Sequence, residues 1–122
     1  MFHSILLLAA TFNLVCNGPM TTDFGDGKLS ETVQQTTEFR VDLDKKRYCQ
    51  DECNLTSPIE AVYETQIVFQ NTLNEQEKSG TRMFVNRESG GLYADTMIGK
   101  FRVIRIGTCE RSEFTGFPTK RF

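Results

Sequence analysis

One histidine, His3, and no tryptophan occur in the 122 residues, and no Lys, Arg, Asp or Glu precedes Asp23. No apolar run approaches the roughly 20 residues that a membrane-spanning helix needs. The charge-free start and the lone histidine belong together. Residues 5–16 are apolar apart from Thr11 and Asn13, which suits the ~7–15-residue core of a secretory leader. Cys16-Asn17-Gly18 supplies small residues for an exit near Gly18. If the leader is removed, no imidazole is left. That excludes a Ser-His-Asp triad, a Cys-His pair, a His-ligated metal and imidazole acid–base catalysis.

The organisation expected from this start is a signal peptide over 1–18, a flexible polar arm over 19–35 and one small domain over 36–122. The protein is expected to be secreted, with translocation into a host cell as a further step, and to make no membrane contact after cleavage. Its formal charge of −2 is unevenly spread. Residues 1–99 hold 8 basic and 14 acidic residues, whereas residues 100–122 hold 6 and 2. A basic C-terminal region of this kind is a solvated edge or a contact surface for an acidic partner.

Removal of Cys16 with the leader would leave Cys49, Cys53 and Cys109, an odd set of disulfide candidates. The expected bridge joins Cys49 or Cys53 to Cys109 and closes a loop of roughly 60 residues, worth about 4 kcal/mol in the chain-entropy model. Cys49–Cys53 requires the intervening loop to turn back. The leftover thiol stays free or links two otherwise monomeric chains. C-x3-C with one distant Cys and no His falls short of a four-ligand zinc site, so no metal and no cofactor is expected.

Along the chain, Phe39, Val41 and Leu43 alternate with polar neighbours, the period of a half-buried strand. Lys45-Lys46-Arg47 follows, either a charged loop (the preferred reading) or a dibasic processing site. Ser57-Pro58-Ile59-Glu60 has an N-cap, a proline at the first helical position and a glutamate closing a capping box. It predicts a helix from Pro58 to Lys78, carrying Ile59, Val62, Phe69 and Leu73 on one face and Glu60 and Glu64 one turn apart. A strand through Val62 and Phe69 is the competing reading. Strands are then predicted over 81–87, 92–98 and 101–106, in an antiparallel meander with Ser89-Gly90-Gly91 as a turn. The fold class expected is α+β, one helix packed on an antiparallel sheet. An all-β six-stranded sandwich is the alternative.

Chemistry-bearing residues are few. Asn54-Leu55-Thr56 is a glycosylation sequon in the loop before the expected helix. Tyr93, Lys100, Arg102, Arg105 and Arg111 are candidates for a basic–aromatic binding surface. Lys100 and Arg102 fall on one face of the last strand and Arg105 on the other. The pattern of a leader, Tyr48-Cys49 near the domain start, a helix soon after, a sheet and a late Cys109 resembles the small secreted effectors of plant-pathogenic fungi. It is most similar to the ribonuclease-like effectors of powdery mildews, with Phe101-Arg102-Val103-Ile104 matching the strand before their last cysteine. The sequence departs from that family in having Tyr48 and Cys49 adjacent rather than Tyr-x-Cys, and in carrying Cys53. The resemblance implies a ribonuclease-type fold without catalysis, acting on a host protein or RNA. The compact β-sandwich effectors of blast fungi are the second resemblance. The function expected is therefore a non-enzymatic secreted effector; a histidine-free ribonuclease-type hydrolase and a disulfide-linked surface protein are the alternatives.

Overall fold

A computed structural model describes residues 10–118. These contain no helix and nine strands: β1 (Thr11–Asp23), β2 (Glu31–Asp42), β3 (Arg47–Gln50), β4 (Ser57–Pro58), β5 (Ala61–Val62), β6 (Gln66–Asn71), β7 (Ser79–Asn86), β8 (Gly91–Ile98) and β9 (Phe101–Ser112). They form one sheet in the order β4-β3-β2-β1-β9-β8-β7-β6-β5, and every pairing is antiparallel. The two outermost strands, β4 and β5, are consecutive in the chain with only Ile59 and Glu60 between them. A sheet whose opposite edges are joined by so short a link must curl until the edges approach, and this one forms a half-barrel.

Strand alternation decides what the curl encloses. Phe12, Leu14 and Cys16 of β1, Phe39 and Val41 of β2, Ile67 and Phe69 of β6, Met83 and Val85 of β7, and Leu92 and Ala94 of β8 are buried and pack in one core. Opposite walls meet across it. The Phe39 and Phe69 rings stack with centroids 4.8 Å apart, and Tyr48 lies 4.7 Å from Phe69. The Tyr48 hydroxyl accepts a hydrogen bond from Gln70 Nε2 at 2.8 Å. Burial raises the Tyr48 pKa, and that bond offsets part of the rise. Residues 113–118 lie outside the sheet. Asn13 Nδ2 donates to the Thr115 hydroxyl at 3.0 Å, and Arg40 Nη1 donates to the Gly116 carbonyl at 2.9 Å.

The helix expected from Pro58 to Lys78 is absent, so the α+β expectation is corrected to all-β. The two-sheet sandwich is not formed either, because a single curled sheet supplies both walls. In place of the helix, Ser57 and Pro58 pair with Tyr48 and Arg47 as β4, and the run from Gln66 to Asn71 forms β6. Ile67 and Phe69 are buried while Val68 and Gln70 are half-buried, a period of two. The capping motif is a local preference worth about 1 kcal/mol. Burying two large apolar side chains between existing walls outweighs it. Glu60 sits in the β4–β5 link and Glu64 in the β5–β6 turn, so they do not share a helical face. The ribonuclease-type fold implied by the resemblance needs that helix and is not the fold of the described residues.

Two further expectations change. The arm expected over 19–35 is structured: residues 19–23 end β1, residues 31–35 begin β2, and the turn between them carries Gly25, Asp26 and Gly27 at positive φ. The second half of the segment expected to be leader forms most of β1, which lies between β2 and β9. His3 lies outside the described residues. Cys16 faces Cys109 across the β1–β9 ladder and is disulfide-bonded to it, while Cys49 bonds Cys53. The loop after Cys49 does turn back, through Asp51 and Cys53 at φ 50° and 56°. Among the described residues no cysteine is free, so the bridge to Cys109 comes from Cys16, and the odd thiol proposed for a disulfide dimer does not exist in this fold.

Candidate functional site

One end of the half-barrel is open. There β1 turns Phe12 and Leu14 inward, β6 contributes Ile67 and β7 Val85, and Leu43 closes from the β2–β3 turn. With Ala10 and Cys109 these side chains line a cavity of about 600 Å³. Its rim is polar and of mixed sign, with Asp44, Asn86, Arg87, Glu88, Ser89 and Arg111. The Arg111 guanidinium lies over the Phe12 ring, 4.7 Å from the centroid, so it also walls the apolar floor.

Local sequence builds this rim. Asn86 Oδ1 accepts the backbone N–H groups of Glu88 and Ser89 at 2.8 and 2.9 Å, which folds residues 86–89 into an Asx turn. Gly90, at φ +78°, passes close against β9: a Cβ there would stand 2.7 Å from the Cys109 carbonyl oxygen. The Gly90 carbonyl accepts the Cys109 N–H at 2.7 Å. Arg87 ties the rim to the β5–β6 turn, donating through Nη1 to the Tyr63 carbonyl at 2.8 Å and through its backbone N–H to the Thr65 carbonyl at 2.8 Å.

The residues expected to form one basic–aromatic surface are dispersed. Tyr93 and Arg102 share the outer face. Tyr93 packs on Phe84 with centroids 5.6 Å apart and donates its hydroxyl to Asp95 Oδ2 at 3.4 Å. Arg102 forks onto the same carboxylate, Nε to Oδ1 at 3.0 Å and Nη2 to Oδ2 at 2.6 Å. Asp95 is only 1% exposed. The bonds from Arg102 hold its carboxyl below the usual carboxylate range, and Asp95 in turn raises the Arg102 pKa. Arg105 points inward, donates to the Thr37 hydroxyl, and has its pKa lowered by burial. Lys100 is in the β8–β9 turn, 2.6 Å from Asp26 Oδ2. Arg111 is at the opposite end of β9, on the rim of the cavity. Asn54 is exposed in the β3–β4 loop beside the Cys49–Cys53 bridge, open to modification. Lys45 and Lys46 are exposed in the β2–β3 turn, and Arg47 enters β3 and donates to the Thr56 carbonyl at 2.7 Å.

Sequence reasoning missed Phe12 and Leu14 because they lie in the stretch assigned to a leader. Their alternation is only partial, because Asn13 separates Phe12 from Leu14 but the apolar Val15 separates Leu14 from Cys16, as in a leader core. Gly90 was legible as a turn residue while Asn86 was expected within a strand, and that their turn faces the one at Leu43 depends on the closure of the sheet. Among the described residues no group of His, Cys, Asp or Glu is placed to hold a metal ion. Compared with protein-family models, curated proteins and solved structures, the chain matches none of them.

Proposed function

We propose that the protein is a secreted, non-enzymatic binding module whose ligand is a small amphipathic molecule held in the open end of the half-barrel. The observation that carries this is the cavity. A volume of about 600 Å³ lies within the range of small-molecule sites, which favour the mouths of curled sheets. Phe12, Leu14, Leu43, Ile67 and Val85 suit an apolar body. The rim alternates Asp44 and Glu88 with Arg87 and Arg111, which suits a neutral or zwitterionic polar group over a strongly charged one. Residues 10–118 contain no histidine, which favours binding over imidazole chemistry. Two disulfides in so small a chain are compatible with an extracellular site of action. An effector role toward a host is the biological setting this reading carries forward, with the small molecule as its target.

Docking of a host protein or RNA on the outer face has weaker support. There Arg102 is already committed to Asp95, and Arg105 and Arg111 lie elsewhere. The test uses 1-anilinonaphthalene-8-sulfonate and a series of saturated and hydroxylated C8–C16 lipids, followed by fluorescence and calorimetry. Leu43→Glu places a charge at the half-buried mouth, where Leu43 packs against the edge of the core, and circular dichroism checks that the fold is kept. Binding of at least one probe, weakened tenfold or more in Leu43→Glu, is expected. No binding by any probe, or binding indifferent to Leu43→Glu, overturns the proposal.

A further inference from the structure

At the other end of the molecule, β1, β2, β8 and β9 run on past the walls that close the core. β3 covers β2 only along Phe39, Arg40, Val41 and Asp42. Residues 31–37 of β2 pair with β1 on one side, and among the described residues have no neighbouring strand on the other. The direction of their backbone groups is fixed by Glu38. Its carbonyl accepts the Asp51 N–H at 2.7 Å, and its N–H donates to Asp51 Oδ1 at 3.1 Å, both on the β3 side. In an antiparallel ladder alternate residues point the same way, so Thr32, Gln34 and Thr36 aim both their N–H and C=O groups out of this open edge.

Proteins usually protect such an edge with Lys, Pro, a bulge or a covering loop. This edge has none of them. Residues 32–37 read Thr-Val-Gln-Gln-Thr-Thr, without a charge, a proline or a glycine, and the β1–β2 register through them is continuous. The inward face of this end also carries exposed apolar side chains, Val33 (47%) on β2 itself and Ile98 (66%) and Phe101 (41%) beyond β1, on β8 and β9. We propose that the open edge of β2 is a self-association surface, occupied by the same edge of a second copy of this chain in an antiparallel, two-fold pairing centred on Gln34.

The occupant follows from symmetry and charge. A two-fold pairing sets Gln34 against its own copy and Thr32 against Thr36 of the second copy. An uncharged run is the sequence that can meet itself without like-charge repulsion. A peptide partner would impose no such self-complementarity. This edge is the longest stretch of strand backbone without a neighbour among the described residues, and isologous pairing uses it up, so association stops at two chains. The inference is independent of the ligand proposal, because the cavity lies at the opposite end of β1 and β9.

Sedimentation velocity of the full chain across micromolar to millimolar concentration, with and without reductant, tests it. A concentration-dependent dimer that needs no intermolecular disulfide is expected. Gln34→Lys and Gln34→Glu, each at an exposed site, should be monomeric with unchanged circular dichroism, because each sets like charges against one another. Mixing the two variants should restore a dimer of one chain of each. A wild-type chain that stays monomeric overturns the proposal. So does a dimer untouched by both substitutions, or one that the mixture fails to restore.

Discussion

The two ends of this sheet share strands and alternation, yet one is a core and the other a surface. On the inward face of β1, Phe12, Leu14 and Cys16 are at most 8% exposed, while Met20 and Thr22, further along the same face, are only half-buried. On β2, Phe39 and Val41 are fully buried, and Val33 on the same face is 47% exposed. Val41 and Val33 are the same residue type, so hydrophobicity does not set them apart. What differs is the opposite wall: β3 and β6 are short and stand over one end only. Alternation marks which side chains share a face, whereas burial depends on which elements reach across from the other side.

The sharpest way to break this comparison is to remove the wall at its centre. A chain beginning at residue 19 lacks Phe12, Leu14 and Cys16, and a chain beginning at residue 10 keeps them. Burial of Phe12 and Leu14 contributes about 1.5–3 kcal/mol each. The Cys16–Cys109 bridge, with a sequence separation of 93, adds about 4–5 kcal/mol in the chain-entropy model. Together these approach the whole stability of an ordinary domain, about 5–15 kcal/mol. The shorter chain should therefore show no cooperative urea transition, and the longer one should show a clear transition. Equal transitions would mean that β1 is dispensable and that cleavage near Gly18 is compatible with this fold.

A second comparison sets one aromatic ring from each end side by side. Phe69 is 1% exposed and stacks on Phe39. Phe101 is 41% exposed; it meets the edge of Phe24, with centroids 6.1 Å apart, and the Lys100 ammonium lies 5.9 Å from its centroid. Phe69→Ala should cost about 3–5 kcal/mol, and Phe101→Ala below about 1 kcal/mol, since substitutions at exposed positions usually fall near that limit. Urea denaturation of the two variants against wild type measures both. A Phe101 variant as damaging as the Phe69 variant would show that the projecting end is covered in solution by something more than this chain's own residues.

The same contrast explains how much the sequence disclosed. The hairpins of β7, β8 and β9 were legible because Gly90, Gly91 and Gly99 mark the turns and the strands between them alternate plainly. Phe39 and Val41 were legible for the same reason. The segment 58–78 misled because a complete capping box sits beside Ile59, Val62, Phe69 and Leu73, whose spacing fits a helix. Only the presence of Phe39 and Tyr48 on the facing wall makes a strand the better place for Phe69. At residues 11–16 a central strand and a leader core look alike, because both are rich in apolar residues. Of the site, the rim turn was readable at Ser89-Gly90-Gly91, but not the part that Asn86 plays in it. Its floor was not, since Phe12, Leu14, Ile67 and Val85 come together only when β4 and β5 draw the two edges of the sheet towards each other.

An effect well below that of Phe69→Ala is expected on the outer face of the projecting end, where Arg102 of β9 bonds Asp95 of β8. An acid whose pKa is lower in the fold than in the unfolded chain binds fewer protons there, so it adds stability above the ordinary carboxylate range. That contribution is lost as pH falls from about 4 through the lower folded value. Asp95 is such a group. Arg102→Met leaves a nearly fully buried carboxylate without its fork of bonds, a loss of about 1–3 kcal/mol at neutral pH. The lower part of that range is expected, because the Arg102 side chain is 37% exposed and solvent screens the pair. At pH 3 the orphaned carboxyl of the variant is protonated and wild type is losing its own contribution, so the two stabilities should converge. Urea titrations at pH 7 and pH 3 measure the gap at each. In wild type, the protection of amides in residues 96–104, taken relative to the intrinsic exchange rate at each pH, should fall at the lower pH before that of Phe39, Ile67 and Val85 does. A gap that stays constant with pH would mean that Arg102 serves by packing alone, and protection that falls uniformly would mean that the two ends of the sheet open as one unit.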